Sequence, residues 1–491
     1  MSRCRSVLGL VLAIGLWGCG GGGGGGGGGL DAGPVHWGVP FVTTTGSQRL
    51  YVTFHNLSPS NATATLTPYA YDGTPGGVGA VALDGYDSQT LVFVGAPTTA
   101  WFLVTTASAE VEVSYAHTDP SGPVDEASRA CPLGDLGAPP PTTTQSVAVS
   151  LEATSIRVTN ATGAANVVTA TAWASPSPGT DAVAGTSVPV ALDPFETTFL
   201  DPSTFGSGFF GTVVFTSAAP FFATVVEGAN DLAYDGVPPV TRRDRFLETD
   251  VSFGLDHAAP NTYNDFALIL TNTAGSARQV ELRQVRRNDG TAILLASRSI
   301  ALGAHETRVI TTTDAPLADL FGDATLSATL LRARLELFVP DDVDVSVRQF
   351  DPLILLHLGT TRPQPAGHVV DAMGVLTEEV LDVNARQWIT VHNPNAVEIT
   401  VNVGVIVPQP DGFDAAPTPL ATLTVPANGF VDLSPDGVAY LDRDGFAVDF
   451  VALRCTSASA FAVTGRRETR TAGGVLTRWT SIITRSHDDA D

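Results

Sequence analysis

The chain has 491 residues, 50 acidic against 26 basic, with a formal net charge of −24 at pH 7, and every basic residue is Arg. A surface this acidic repels nucleic acid and anionic lipid headgroups, so neither is expected as a direct partner. Thr, Val, Ala, Gly and Pro dominate and long stretches of good helix formers are missing, which excludes a helical bundle and predicts an all-β protein of several domains.

Arg3 and Arg5 form a short basic region ahead of the apolar run Val7 to Leu16. Ten apolar residues are too few to span a bilayer and match the core of a signal peptide. The run ends in Leu16-Trp17-Gly18-Cys19, which resembles the lipobox of bacterial lipoproteins, although Trp17 departs from the small or aliphatic residue usual at its position. The resemblance implies cleavage after Gly18 and a diacylglycerol thioether on Cys19, so 1–18 reads as signal peptide. The plainer alternative is cleavage elsewhere with Cys19 left free. More than one acyl chain, as the family carries, anchors stably where one would not. Residues 19–34 then form the lipidated start and a tether. Gly20 to Gly29 cannot pack or hold a helix, and span roughly 17 Å as a flexible coil. In enterobacterial lipoproteins an Asp after the cysteine favours inner-membrane retention; Gly20 stands there instead, which implies the outer membrane and possible surface exposure. Without Arg3 and Arg5 the mature chain carries a net charge near −26.

Four segments then repeat. Each has an alternating strand that ends at an Asn: LYVTFHN to Asn56, SIRVTN to Asn160, FALILTN to Asn272 and WITVHN to Asn393. The intervals of 104, 112 and 121 residues are domain-sized. A second alternating run reaches a turn glycine at Gly73, Gly179, Gly290 and Gly412, where tight turns call for positive φ. A strand, turn and strand follow in VALDGYDSQTLVF, VALDPFETTFL, IALGAHETRVI and LTVPANGFVDL. A last pair surrounds Thr105-Thr106-Ala107-Ser108, Thr216-Ser217-Ala218-Ala219 and Thr456-Ser457-Ala458-Ser459, with Pro340-Asp341-Asp342 at that place in the third unit. About seven strands per unit predict four β-sandwiches over 35–118, 147–235, 247–353 and 366–484, each large enough to bury a core. The units resemble the tandem Ig-like and fibronectin-like modules of bacterial surface proteins. That resemblance implies reach, display or adhesion and carries no ligand residues. Segment 119–146, with Pro139-Pro140-Pro141, reads as a linker, as do Gly228 to Arg245 and Arg362 to Gly367; proline there predicts stiff, extended joints and a rod.

Candidate chemistry is weighed against that register. Gly206-Ser207-Gly208-Phe209-Phe210-Gly211 matches GxGxxG but precedes a strand where a dinucleotide site needs a helix. His305-Glu306 begins HExxH, yet residue 309 is Val and the pair falls in a turn. Asp442 and Asp444 are the best calcium candidates, since Asp-x-Asp-Gly brings two hard oxygens across a turn, but the acidic residue a full loop needs is missing and solvated turn carboxylates are the simpler reading. Asp341, Asp342 and Asp344 are weighed the same way. No metal or other cofactor is expected. Cys131 and Cys455 remain once Cys4 leaves with the signal peptide and Cys19 is lipidated; an oxidising envelope would permit a bridge, but Cys455 aligns with the apolar Val104 and Phe215 and Cys131 lies in a linker more than 300 residues away, so a buried free thiol is the favoured expectation. The third unit is rich in Arg. Arg283, Arg286 and Arg287, with Arg278, Arg298 and Arg308, form either a dock for acidic groups or strand-face partners of neighbouring carboxylates. Two function classes follow. One is a non-catalytic, membrane-anchored envelope lipoprotein that binds a protein or glycan; the other is an envelope enzyme or enzyme accessory with a site at a domain junction.

Overall fold

The computed structural model describes residues 35–486 apart from short intervening segments, the longest being 42–48, 119–124, 135–142, 236–244, 322–330, 377–384, 407–417 and 434–449. The first sandwich is built from β1 (Val35–Pro40), β2 (Arg49–Asn56), β3 (Ala62–Ala70), β4 (Gly79–Leu83), β5 (Ser88–Val94), β6 (Thr99–Thr106), β7 (Val111–Thr118), β8 (Asp125–Arg129) and β9 (Cys131–Gly134). Its front sheet runs β4-β3-β6-β1-β9 and its back sheet β5-β2-β7-β8. The period-two pattern sorts the side chains: Leu50, Val52 and Phe54 of β2 and Ala62, Ala64 and Leu66 of β3 all enter one core between the sheets.

The same strand order recurs three times. The second sandwich has a front sheet of Val183–Leu192, Asn166–Ala174, Gly211–Ser217 and Thr143–Val149, and the third and fourth repeat it with their own cores. In the fourth, one strand, Phe450–Arg470, pairs with the front sheet through its first half and the back sheet through its second, standing for both β6 and β7. Four tandem all-β sandwiches are therefore present, as the repeats predict.

Two expectations are corrected. Each sandwich has eight principal strands: in the first and second the eighth comes from a segment that reads as linker, in the third from Leu356–Thr361, between the expected sandwich and the expected linker, and in the fourth from Leu476–Ser486, inside the expected 366–484. Within 119–146, β8 pairs with β7 and β9 with β1. Leu232–Asp235 likewise pairs with Phe221–Glu227, and Leu356–Thr361 with Val343–Asp351. DEASR and LAYD are too short and mixed for apolar alternation, and the adjacent prolines obscure them.

The body is also a closed ring rather than a rod. The outer face of each front sheet meets the outer face of the next sandwich's back sheet, and Leu57 of the first sandwich is buried with Ile406 and Ala452 of the fourth. The eighth strands turn inward, β8 lying beside Leu476–Ser486 and close to Leu232–Asp235 and Leu356–Thr361. Because those segments are tied into sheets, the chain cannot extend through them as stiff spacers.

Candidate functional site

Many of the buried polar and aromatic side chains among the described residues gather at the four joints of the ring. Each joint begins with the repeat Asn, buried in all four sandwiches. The Asn160 amide donates to the carbonyls of Ala164 and Asp193, both at 2.8 Å, while its oxygen accepts from the Thr162 N–H at 3.1 Å. Asn56, Asn272 and Asn393 repeat this arrangement, donating to Asp84, Gly303 and Val425 respectively. An amide suits the place because it both donates and accepts; it pins the end of the back sheet to the strand–turn–strand that follows.

That turn docks on the preceding sandwich. Phe195, His305 and Asn428 occupy the same place in it and all have positive φ, at 59°, 55° and 51°. At the first joint the Phe195 ring stacks on Tyr69, with centroids 4.3 Å apart, and its carbonyl accepts from the Trp101 indole at 3.0 Å. Tyr69, Ala100 and Trp101 are buried there with Ala161 and Phe222. Arg157 donates to the Phe41 carbonyl and the Tyr71 hydroxyl, and its guanidinium lies 5.0 Å from the Phe199 ring centroid. The turn glycine is needed for approach: a Cβ on Gly73, at φ +79°, would sit 2.0 Å from the Pro194 carbonyl oxygen.

The second joint uses the same turn with polar residues. His305 stacks on Trp173 at 3.9 Å, and its carbonyl accepts from the Thr212 hydroxyl at 3.1 Å. Glu306, 1 % exposed, accepts from the Gly179 N–H at 2.8 Å and the Gly303 N–H at 2.7 Å. Burial pushes its carboxyl above the usual range, against those two hydrogen bonds. The Thr212 and Thr307 hydroxyls meet at 2.6 Å, and the Thr307 N–H donates to Ser175. The sequence reading of His305-Glu306 as half a zinc motif in a turn therefore has a structural counterpart: the pair holds two sandwiches together.

The third joint is ionic. Arg332 pairs with Asp432, donates to the Thr390 hydroxyl and covers the Phe430 ring at 5.3 Å. Fully buried Arg334 lies 3.5 Å from Glu336, which is also paired with Arg283 at 2.8 Å. In the same sandwich Arg278 pairs with Asp342, Arg298 with Asp319, and Arg308 donates to the Ala301 carbonyl. Of the two readings of these arginines, pairing with neighbouring groups describes Arg278, Arg283 and Arg298. Arg286 and Arg287 lie opposite Ile293 and Ala292 in the strand register, and their side chains are outside the described residues.

The fourth joint, between the two ends of the ring, buries His55 and Glu112 on the first sandwich and Asp371 on the fourth. Asp371 accepts two hydrogen bonds from Arg454, both at 2.8 Å. Beside it, the outer face of the fourth front sheet forms a groove of about 530 Å³ lined by Asn402, Gly404, Thr422, Arg454 and Thr456 among others. Cys455 is a free, fully buried thiol, pushed up to about 12 by burial and by Asp371. Cys131 lies in β9, opposite Gly38. Cys19, Asp442, Asp444 and Asp341 fall outside the described residues.

The sequence reading missed the joints because half of each consists of backbone carbonyls and N–H groups. The four Asn and the turn glycines were their visible trace.

No family model matches the chain, and no curated protein matches it. Among solved structures, one described as "Crystal structure of tetra-tandem repeat in extending region of large adhesion protein" aligns at 12% identity over 91% of this chain and 97% of that chain, with a TM-score of 0.11. A score that low carries no argument about either fold or function.

Proposed function

We propose that this chain is a non-catalytic lipoprotein of the bacterial cell envelope, held by a lipid on Cys19, with its ring of four sandwiches serving display, adhesion or the binding of a protein or glycan. The observation that carries the reading is the order of parts: a short apolar run, Leu16-Trp17-Gly18-Cys19, ten glycines, and then a β body. The leash separates lipid from body by roughly 17 Å, enough to lift an acidic ring clear of anionic headgroups. The non-catalytic part is supported by what Glu306, His305 and Arg332 do, since each is engaged in holding neighbouring sandwiches together. Gly20 after Cys19 favours the outer membrane.

Metabolic labelling with an alkyne fatty acid tests the anchor. Wild type should take up label and Cys19→Ser should not, and protease added to intact cells should then degrade the lipidated form if it faces outward. Equal labelling of both, or none in either, would overturn the anchor.

A further inference from the structure

The fourth sandwich departs from the first two on the outer face of its front sheet. One row of cross-strand neighbours reads Gly38, Leu103 and Thr67 in the first sandwich and Ser146, Val214 and Thr171 in the second. In the fourth it reads Asp371, Arg454 and Gly404. Gly404 brings no side chain to the row. Beside it the pairing of Ile399–Ile406 with Thr418–Val425 slips, from Val403 opposite Ala421 to Gly404 opposite Pro419, which leaves Leu420 as the extra residue of a bulge. A bulge bends its strand, and a glycine within a strand leaves room for close approach. Together they account for the groove of about 530 Å³ over Gly404, a volume within the range of about 300–1,000 Å³ usual for small-molecule sites.

We infer that this groove binds a neutral, hydroxyl-rich ligand, namely a stretch of uncharged oligosaccharide. The inference rests on the proposed binding role of the body and not on the lipid anchor. Asn402, Thr422 and Thr456 supply the polar part of the lining. An amide and two hydroxyls can each donate and accept, as sugar hydroxyls do; a carboxylate or phosphate only accepts, and an ammonium only donates. The Thr422 hydroxyl donates to Asn402 Oδ1 at 3.1 Å, which orients the amide. Among the described residues, Asn402 Nδ2 and the Thr456 hydroxyl have no protein partner. Arg454, the charged residue of the lining, is bonded twice to fully buried Asp371 and so brings no uncompensated charge. An acidic glycan would have to break that pair while approaching a chain of net charge −24; a neutral one does neither. Gly404, Pro419 and Leu420 supply apolar surface for the C–H face of a sugar ring. An extended peptide fits less well. It would add to the free edge of Thr418–Val425, which pairs with Ile399–Ile406 alone among the described residues, and there Pro419 has no N–H to offer.

The test applies the full mature chain carrying Cys19→Ser to an array of neutral and acidic oligosaccharides, then measures Kd for the best-bound neutral one by titration calorimetry. Wild type should bind neutral oligosaccharides in preference to acidic ones. Gly404→Thr introduces the residue type of Thr67 and Thr171, fills the floor of the groove and should weaken binding by about 10-fold or more. Asn402→Ala removes a donor at an exposed position and should weaken it about 3–10-fold. Thr169→Ala, at the matching position of the second sandwich, should leave Kd unchanged. Thermal melts show which variants are folded, and if Gly404→Thr is not, Asn402→Ala decides. An array without a neutral hit, a preference for acidic glycans, or wild-type affinity in either folded groove variant would overturn the proposal. Wild-type affinity in the variants would move glycan binding elsewhere on the body and leave the proposed function standing. A blank array would remove glycan binding altogether, while the anchor would still stand or fall by the fatty-acid label.

Discussion

Phe195 stacks on Tyr69 across the first joint at 4.3 Å and 23°, and His305 stacks on Trp173 across the second at 3.9 Å and 24°. The ring is thus assembled by one device used twice with different chemistry: a turn residue at positive φ lying flat on an aromatic of the previous sandwich. Phe195→Ala should lower stability by about 2 kcal/mol, from the lost area and the lost stack. A double-mutant cycle with Tyr69→Ala, followed by denaturant unfolding, should return a coupling of about 1 kcal/mol. Additive effects would mean the stack contributes nothing beyond burial.

Asn160 joins two loops through four hydrogen bonds while fully buried. Asn160→Ala strands the Ala164 and Asp193 carbonyls and should cost about 2–4 kcal/mol. Asn160→Asp should cost at least as much, because a carboxylate cannot donate to either carbonyl. Thermal unfolding of the two variants against wild type measures both, and a Tm within a degree of wild type for either would contradict the pinning role.

These asparagines show how much the sequence disclosed. The four Asn and the turn glycines were legible as landmarks because they recur in register. That Asn160 holds Asp193 and that Gly73 lies under Pro194 was not, since the partner in each case is a backbone carbonyl with no residue signature. Leu50, Val52 and Phe54 announced their core by alternation, whereas DEASR in β8 is too short and polar to do so. Ring closure depends on Leu57 meeting Ile406 and Ala452 from the opposite end of the chain, a pairing that no local pattern records. The Arg-rich third unit was visible as composition; its neutralisation by Glu336 and Asp342 required the strands carrying those acids to fold alongside.

Gly303 and Gly79 separate space from sequence position. A Cβ on Gly303 would lie 2.1 Å from the Thr180 backbone across the second joint, while one on Gly79 would meet nothing within 4 Å. Gly303→Ala should therefore destabilise by about 2 kcal/mol or more and increase proteolysis between the second and third sandwiches. Gly79→Ala should stay within about 0.5 kcal/mol. Limited proteolysis compared with circular-dichroism melts would show both, and equal behaviour of the pair would refute the close approach.

Cys455 is buried with its thiol pushed up to about 12, so almost no thiolate exists at pH 8. In a chain carrying Cys4→Ser, Cys19→Ser and Cys131→Ser, iodoacetamide at pH 8 should leave the native protein unlabelled and add one adduct after guanidinium unfolding. Mass spectrometry distinguishes the two; rapid native labelling would place the thiol at the surface.

Arg332 and Asp432 join the third and fourth sandwiches, both partly buried, with Thr390 and the Phe430 face completing the site. Loss of either partner leaves the other without its countercharge, so a double-mutant cycle of Arg332→Ala and Asp432→Ala should give a coupling of about 1–2 kcal/mol. The coupling should shrink only modestly in 0.5 M salt, where an exposed pair would lose most of its value.

The central structural claim is that the four sandwiches close into one body. Small-angle scattering of the Cys19→Ser mature protein at pH 7.5 tests it most directly. A ring of this length should give a radius of gyration of about 23 Å and a compact pair-distance curve. Four sandwiches in an extended row would give roughly twice that value with a long tail, and such a curve would contradict the closed ring.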